Sequence, residues 1–136
     1  MKVKIEECNI VNLPVIEDSA GNISPINGEN EIPFAIRRVF YLYDIPGGKD
    51  RGAHAHRACH QFLIAGSGSF EILVDDGANQ KTYSLNRPYY GLHVPPGIWA
   101  SEKNFSSGSI CLVLTSAGYD AADYIRSYDD YIEFNS

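Results

Sequence analysis

The sequence predicts an all-β protein, an antiparallel sandwich or small barrel, and three observations carry that reading. Short runs rich in Val, Ile, Tyr and Phe recur along the chain: AIRRVFYLYDI, HQFLIAGSG, SFEILVDDG, QKTYSLN, YYGLHVPPG and SICLVLTSA. Gly, Pro, Asn and Asp punctuate them. Their spacing suits successive antiparallel strands and not strand–helix–strand units.

Each element follows from its own pattern. In the first run Arg37 and Arg38 are adjacent, so a regular strand turns only one of them inward; Arg38 shares its parity with Phe40 and Leu42. In FEILV, Phe70, Ile72 and Val74 fall on one face, with Glu71 and Leu73 on the other. Asp76-Gly77 then reads as a hairpin turn into QKTYSL. His93 alternates with Leu92 and Val94, a position open to a cavity or to a structural role. Only the tail, YDAADYIRSYDDYIEF, has room for a short helix, with Tyr124, Tyr128 and Tyr131 at helical intervals. No repeat or linker divides the 136 residues, which predicts one domain over 1–136.

Bulk properties narrow the function. A net charge of −6 argues against a general nucleic-acid or anionic-membrane surface, though a few local arginines still serve a small anionic ligand. The first residues, MKVKIEECNIVNL, hold no long apolar run, so neither a leader nor a membrane anchor is expected there. Cys8, Cys59 and Cys111 are an odd number at wide spacing, with no metal knuckle or disulfide framework. A reducing cytoplasm is the expected location.

The segment RGAHAHRACHQ, residues 51 to 61, concentrates the chemistry. As one strand it would place His54, His56 and His60 on a common face, a three-nitrogen zinc site. Arg57-Ala58-Cys59 also reads as a turn, because the apolar run FLIA restarts just after it, and a turn leaves only His54 and His56 paired. The nearest acidic residue downstream is Glu71, in another run, and Gln61 is a hydrogen-bonding amide in preference to a ligand. Imidazoles near neutrality can remove one proton and return another, so an acid/base pair needs less than a metal site does.

The stretch from Ile32 through RGAHAH and VPPGIWASEKNFS to the closing DYIRSYDDYIEF resembles the sugar 3,4-ketoisomerases of the cupin superfamily, which act on dTDP-4-keto-6-deoxyglucose. Metal-binding cupins carry a carboxylate where Gln61 stands and a last histidine where Ala100 stands; His54 and His56 keep the other two positions. The resemblance implies a cupin-type jelly-roll barrel with a short C-terminal helix or turn, a homodimer, and a dTDP-4-keto-6-deoxyhexose substrate held without metal or cofactor. It implies proton traffic through His54 and His56, and substrate contacts from Arg38, Arg51, Gln61, Tyr41 and Trp99, with Arg51 on enolate oxygen or phosphate.

The chain departs from the family pattern at Phe40, where relatives have a tyrosine, and at Ala100-Ser101, where many have His-Glu. Ala20 and Asn27 replace a further Arg and Glu. Three readings compete with the ketoisomerase. A sugar-nucleotide 3,5-epimerase needs a base and a separate acid on opposite ring faces, whereas H-x-H presents one face. A metal-dependent cupin oxygenase is disfavoured by Gln61 and Ala100. In a non-catalytic nucleotide-sugar binder the lost polar groups would mark lost catalysis.

Overall fold

The computed structural model describes residues 2–136. Twelve strands follow in order: β1 (Asn9–Asn12), β2 (Ile16–Asp18), β3 (Gly21–Ile23), β4 (Arg38–Leu42), β5 (Arg51–His56), β6 (Gln61–Ser67), β7 (Phe70–Asp75), β8 (Gln80–Leu85), β9 (Tyr90–Val94), β10 (Trp99–Lys103), β11 (Ile110–Thr115) and β12 (Tyr124–Ile125), before the helix α1 (Tyr128–Phe134). One five-stranded sheet runs β1-β9-β6-β11-β4 and the other β12-β5-β10-β7-β8; β2 and β3 form a separate hairpin. Neighbouring strands in both sheets are antiparallel. Among the described residues no helix is long and apolar enough to cross a membrane.

The sheets close on a core that follows the alternation. Phe70, Ile72 and Val74 of β7 are buried together with Leu63, Leu92, Val94 and Val113 of the facing sheet. Strand β6 reads as a continuous apolar run because both its faces are covered. Its inner face meets this core, and on its outer face Phe62 and Ile64 pack with Leu13, Ile32 and Phe34 of the N-terminal segment. Glu71 and Leu73 of β7 remain half-exposed because that sheet is covered on one face there.

The tail departs from its expected form in one respect. Tyr124 lies in β12, paired with His56 of β5, and the helix starts only at Tyr128. The Ser127 hydroxyl caps that start, and Asp129 and Asp130 occupy its first turn, where acidic groups complement the positive helix terminus. Fully buried Tyr131 anchors α1, its hydroxyl 2.8 Å from the Gly97 carbonyl and 3.0 Å from that of Asp75. Asn135 ties the two ends of the chain together, accepting from the Val3 amide at 2.8 Å and donating to the Val3 carbonyl at 2.9 Å.

Candidate active site

Strand β5 bends just before its histidines. Gly52 and Ala53 both take left-handed backbone angles, φ 89° and 63°. Opposite them the β10 register slips between Ala100 and Ser101. A bulge of this kind re-aims the side chains that follow it. It sets His54 across from Ala100 and leaves His54 and His56 on one face, their rings 5.0 Å apart at 84°. The strand ends at His56, so the turn at Arg57-Ala58-Cys59 takes His60 away from the pair. His60 instead meets His93 at 2.9 Å, packed with Phe34 on the outer face of the other sheet.

His54 lines a cavity of about 250 Å³ with Arg38, Arg51, Gln61, Glu102 and Tyr124. Gln61, with only 8% of its surface exposed, enters from β6 beside Val94, on the inner face. Arg38 has the inward parity expected of it, its guanidinium 4.6 Å from the Phe40 ring and 5.4 Å from Tyr119. A larger cavity, about 580 Å³, lies elsewhere, among Leu13, Val15, Ile64 and Tyr89, and contains no histidine.

His56 stands behind His54 and is fixed by Asp123, whose Oδ2 is 2.9 Å from the imidazole Nδ1. Asp123 is itself held: its Oδ1 accepts from the Ala58 amide at 2.7 Å and its carbonyl from the Arg57 amide at 2.8 Å. With Nδ1–H donated to Asp123, His56 carries its free lone pair on Nε2, a buried atom with no hydrogen-bond partner. Tyr124 covers both rings, 4.9 Å from His54 and 4.4 Å from His56, and Arg126 lies over Tyr124. Burial, with the His56 and Arg126 charges adding to it, depresses His54 to about 4. Burial also lowers His56, against the opposing hydrogen bond and charge of Asp123. Both imidazoles are thus neutral bases at physiological pH.

Two sequence-predicted contacts are not brought to this cavity. Tyr41 has the opposite parity to Arg38 and Phe40, is 58% exposed, and packs on Tyr43 outside the barrel. Trp99 points to the helix, 5.3 Å from the Tyr128 ring and 5.6 Å from Tyr131, because its parity on β10 is opposite to that of Ala100. Conversely, the sequence assigned no site role to Glu102, Tyr119, Asp123, Tyr124 or Arg126, which the structure brings to the cavity or to His56. The last three lie inside the DYIRS segment that carries the resemblance, which was the available signal.

His56, Cys59 and Asp123 also bring ligand atoms within 4.8 Å of one another, close enough to be considered as a metal site. Here the His56 and Asp123 atoms are hydrogen-bonded to each other, and the Arg38 and Arg126 charges bear on the same imidazole. That donor set fits an orienting carboxylate–imidazole pair better than a dication.

Residues 6–136 match the family described as FdtA: WxcM-like, C-terminal. The chain belongs to this family. It is 38% identical over 128 residues to the TDP-4-oxo-6-deoxy-alpha-D-glucose-3,4-oxoisomerase of Aneurinibacillus thermoaerophilus, covering 94% of this chain and 92% of that protein. Among solved structures, the TDP-quinovose 3,4-ketoisomerase WlaRB of Campylobacter jejuni is 44% identical with a TM-score of 0.91, over 95% of this chain and 99% of that one. A histidine-to-asparagine mutant of the 3,4-ketoisomerase QdtA of Thermoanaerobacterium thermosaccharolyticum, in complex with TDP-4-keto-6-deoxyglucose, is 37% identical with a TM-score of 0.92, over 94% and 93% of the two chains. The jelly-roll likeness reaches further, to the rmlC epimerase of Mycobacterium tuberculosis at 15% identity and a TM-score of 0.77, over 92% of this chain and 70% of that one, which concerns the fold alone.

Proposed function

We propose that this protein is a nucleotide-sugar 3,4-ketoisomerase that moves the carbonyl of a dTDP-4-keto-6-deoxyhexose from C4 to C3. The observation that carries the reading is His54: a neutral imidazole in the wall of a cavity that also presents arginines, in a chain whose relatives are 3,4-ketoisomerases. The C4 ketone acidifies the C3–H bond. His54 takes that proton, the bonding pair forms C3=C4, and the carbonyl oxygen becomes an enediolate. The imidazolium then returns its proton to C4 as the C3 carbonyl forms, while the hydroxyl proton passes from O3 to O4. Nothing is oxidised or reduced overall.

His56 acts behind His54, its tautomer set by Asp123, and keeps the electrostatic environment of the base constant. Arg38, Arg51 and Arg126 supply the local positive charge that an acidic protein needs for a diphosphate, with guanidinium forks suited to phosphate oxygens. The cavity is slightly smaller than the roughly 300–1,000 Å³ common for drug-sized ligands, which suits a sugar ring inside and the nucleotide over the rim. A homodimer belongs to the same proposal. It is supported by exposed Val39, Tyr41 and Tyr43 along the edge at β4, and Ile16 and Ile23 on the β2–β3 hairpin. Three free, buried cysteines fit a reducing, cytoplasmic location.

The test is metal-stripped protein with TDP-4-keto-6-deoxyglucose in D₂O, followed by proton NMR. A 3-keto product with solvent-sensitive labelling at C4 is expected. Deuterium at C3 and C5 of an inverted sugar would replace this reading with epimerisation, and an unchanged sugar with intact TDP binding would make the protein a binder.

A further inference from the structure

Glu102 is a carboxyl in the barrel wall that the mechanism above leaves unused. On β10 it pairs with Ile72 of β7, a fully buried core residue, and on the other side with Arg51 of β5. It has the parity of Ala100, which packs against the core and stands opposite His54, so its side chain turns inward. It lines the same cavity as His54. The bulge makes its place: a β-carbon at Gly52 would collide with Glu102 Oε2. The backbone turn that re-aims His54 therefore also opens the space in which this carboxyl sits.

The groups around it come from several elements. Arg51 and His54 face it from β5, Arg38 from β4, Cys111 from β11, and Tyr119, Tyr124 and Arg126 from the tail; β7 offers only apolar Ile72. The one ion pair found among the described residues is His56–Asp123, so Glu102 is not neutralised by direct contact with an arginine. Backed by core residues Ile72 and Cys111 and without a directly paired cation, the carboxyl is costly to keep charged, and neutral it becomes a proton donor facing the ligand space.

We propose that Glu102 is the second proton-transfer group of this cavity, carrying the hydroxyl proton of the sugar while His54 carries the carbon-bound one. The inference rests on the ketoisomerase reading. As His54 removes the C3 proton, the Glu102 carboxylic acid gives its proton to the developing O4 oxyanion, leaving a neutral enediol, an imidazolium and a carboxylate. As C4 takes the proton of the imidazolium, the carboxylate takes the O3 proton and the C3 carbonyl forms. Both groups end as they began, one C–H and one O–H having changed carbon. The electrostatics agree: burial lifts Glu102 to about 7, against its own backbone hydrogen bond and the Arg51 charge, while His54 is held near about 4. An acid and a base whose environments drive them apart in this way are poised for proton transfer near neutrality.

The experiment compares wild type, Glu102→Gln and Glu102→Ala on TDP-4-keto-6-deoxyglucose, with melting curves and TDP titrations on each. Glu102→Gln, which keeps the shape and removes the proton, is expected to lose roughly 10²–10³-fold in kcat with KM little changed. Wild type is expected to lose kcat above about pH 7 as the acid ionises, and Glu102→Gln should lack that fall. Added formate is expected to restore part of the turnover of Glu102→Ala, a gain that a purely structural role would not produce. A Glu102→Gln variant with wild-type kcat and pH profile would overturn the proposal, as would one whose KM alone rises, since that marks a sugar-binding contact. Wild type that isomerises no TDP-sugar defeats the ketoisomerase reading instead, so the two failures are distinct.

Discussion

His54 and His56 meet edge to face at 84° on the inner side of one sheet, whereas His60 and His93 lie stacked at 9° on the outer side of the other, joined Nδ1 to Nε2 at 2.9 Å. Both pairs are partly buried, and burial lowers the basicity of all four rings. What differs is where the lone pairs go. The outer pair spends a donor and an acceptor on each other over Phe34, which makes it a cross-strand fastening between β9 and the start of β6. The inner pair makes no such bond; Asp123 occupies one nitrogen of His56, and His54 is left facing the cavity. The availability of a nitrogen beside a cavity, and not the presence of histidine, separates a base from a fastener.

The strongest way to break this comparison is to replace one ring from each pair by its closest neutral amide. His54→Gln is expected to lower kcat by roughly 10²–10⁴-fold with little change in melting temperature, the range that positioned acid/base groups supply. His93→Gln should leave turnover within about twofold and lower stability by about 1 kcal/mol, the scale of one lost hydrogen bond. Turnover assays and melting curves on both proteins decide it; equal kinetic losses would erase the distinction.

A smaller effect is expected at the residue that gives His56 its orientation. Asp123→Asn keeps an acceptor but removes the charge that holds the His56 proton, so His56 becomes still harder to protonate. A loss in kcat on the order of tenfold is expected, with KM nearly unchanged. NMR titration should show the His56 midpoint moving further down; an unmoved midpoint would mean that Asp123 only braces the loop through Ala58.

Acid should expose the cost common to both pairs. His54 and His93 fall to about 4 in the folded protein from 6.5, His93 through burial first and the His60 charge second. Between these values the unfolded chain binds protons that the folded one does not, so stability is full above pH 6.5 and declines as pH falls towards 4. Glu102 acts in the opposite sense, its raised value costing stability as pH rises from 4.5 through about 7. Melting curves from pH 7.5 to 4 should show a net decline on acidification that is shallower in His93→Gln. The smallest expected effect is at Tyr41, whose hydroxyl lies outside the barrel: Tyr41→Phe should keep kcat and KM within about twofold, and a larger change in KM would place that face at the nucleotide.

Local periodicity carried a large part of this protein. The core face Phe70, Ile72, Val74, the inward Arg38 and the common side of His54 and His56 all follow from a two-residue repeat, which depends on chain geometry alone. The same rule also gave Tyr41 and Trp99 parities that place them away from the cavity, once β4 and β10 are located. Strand β10 escaped notice because WASEK shows no apolar alternation: its inner face lines a cavity beyond Ala100, so a carboxyl stands where a packed strand would put a methyl group. Three-dimensional closure decided the rest. Asp123 reaches His56 across 67 residues and His93 reaches His60 across 33, and both separations depend on how the sheets fold together. The sequence by itself determined that two imidazoles share a strand face; only the tertiary structure determined which imidazoles keep a free nitrogen, because hydrogen-bond partners are assigned by neighbours in space.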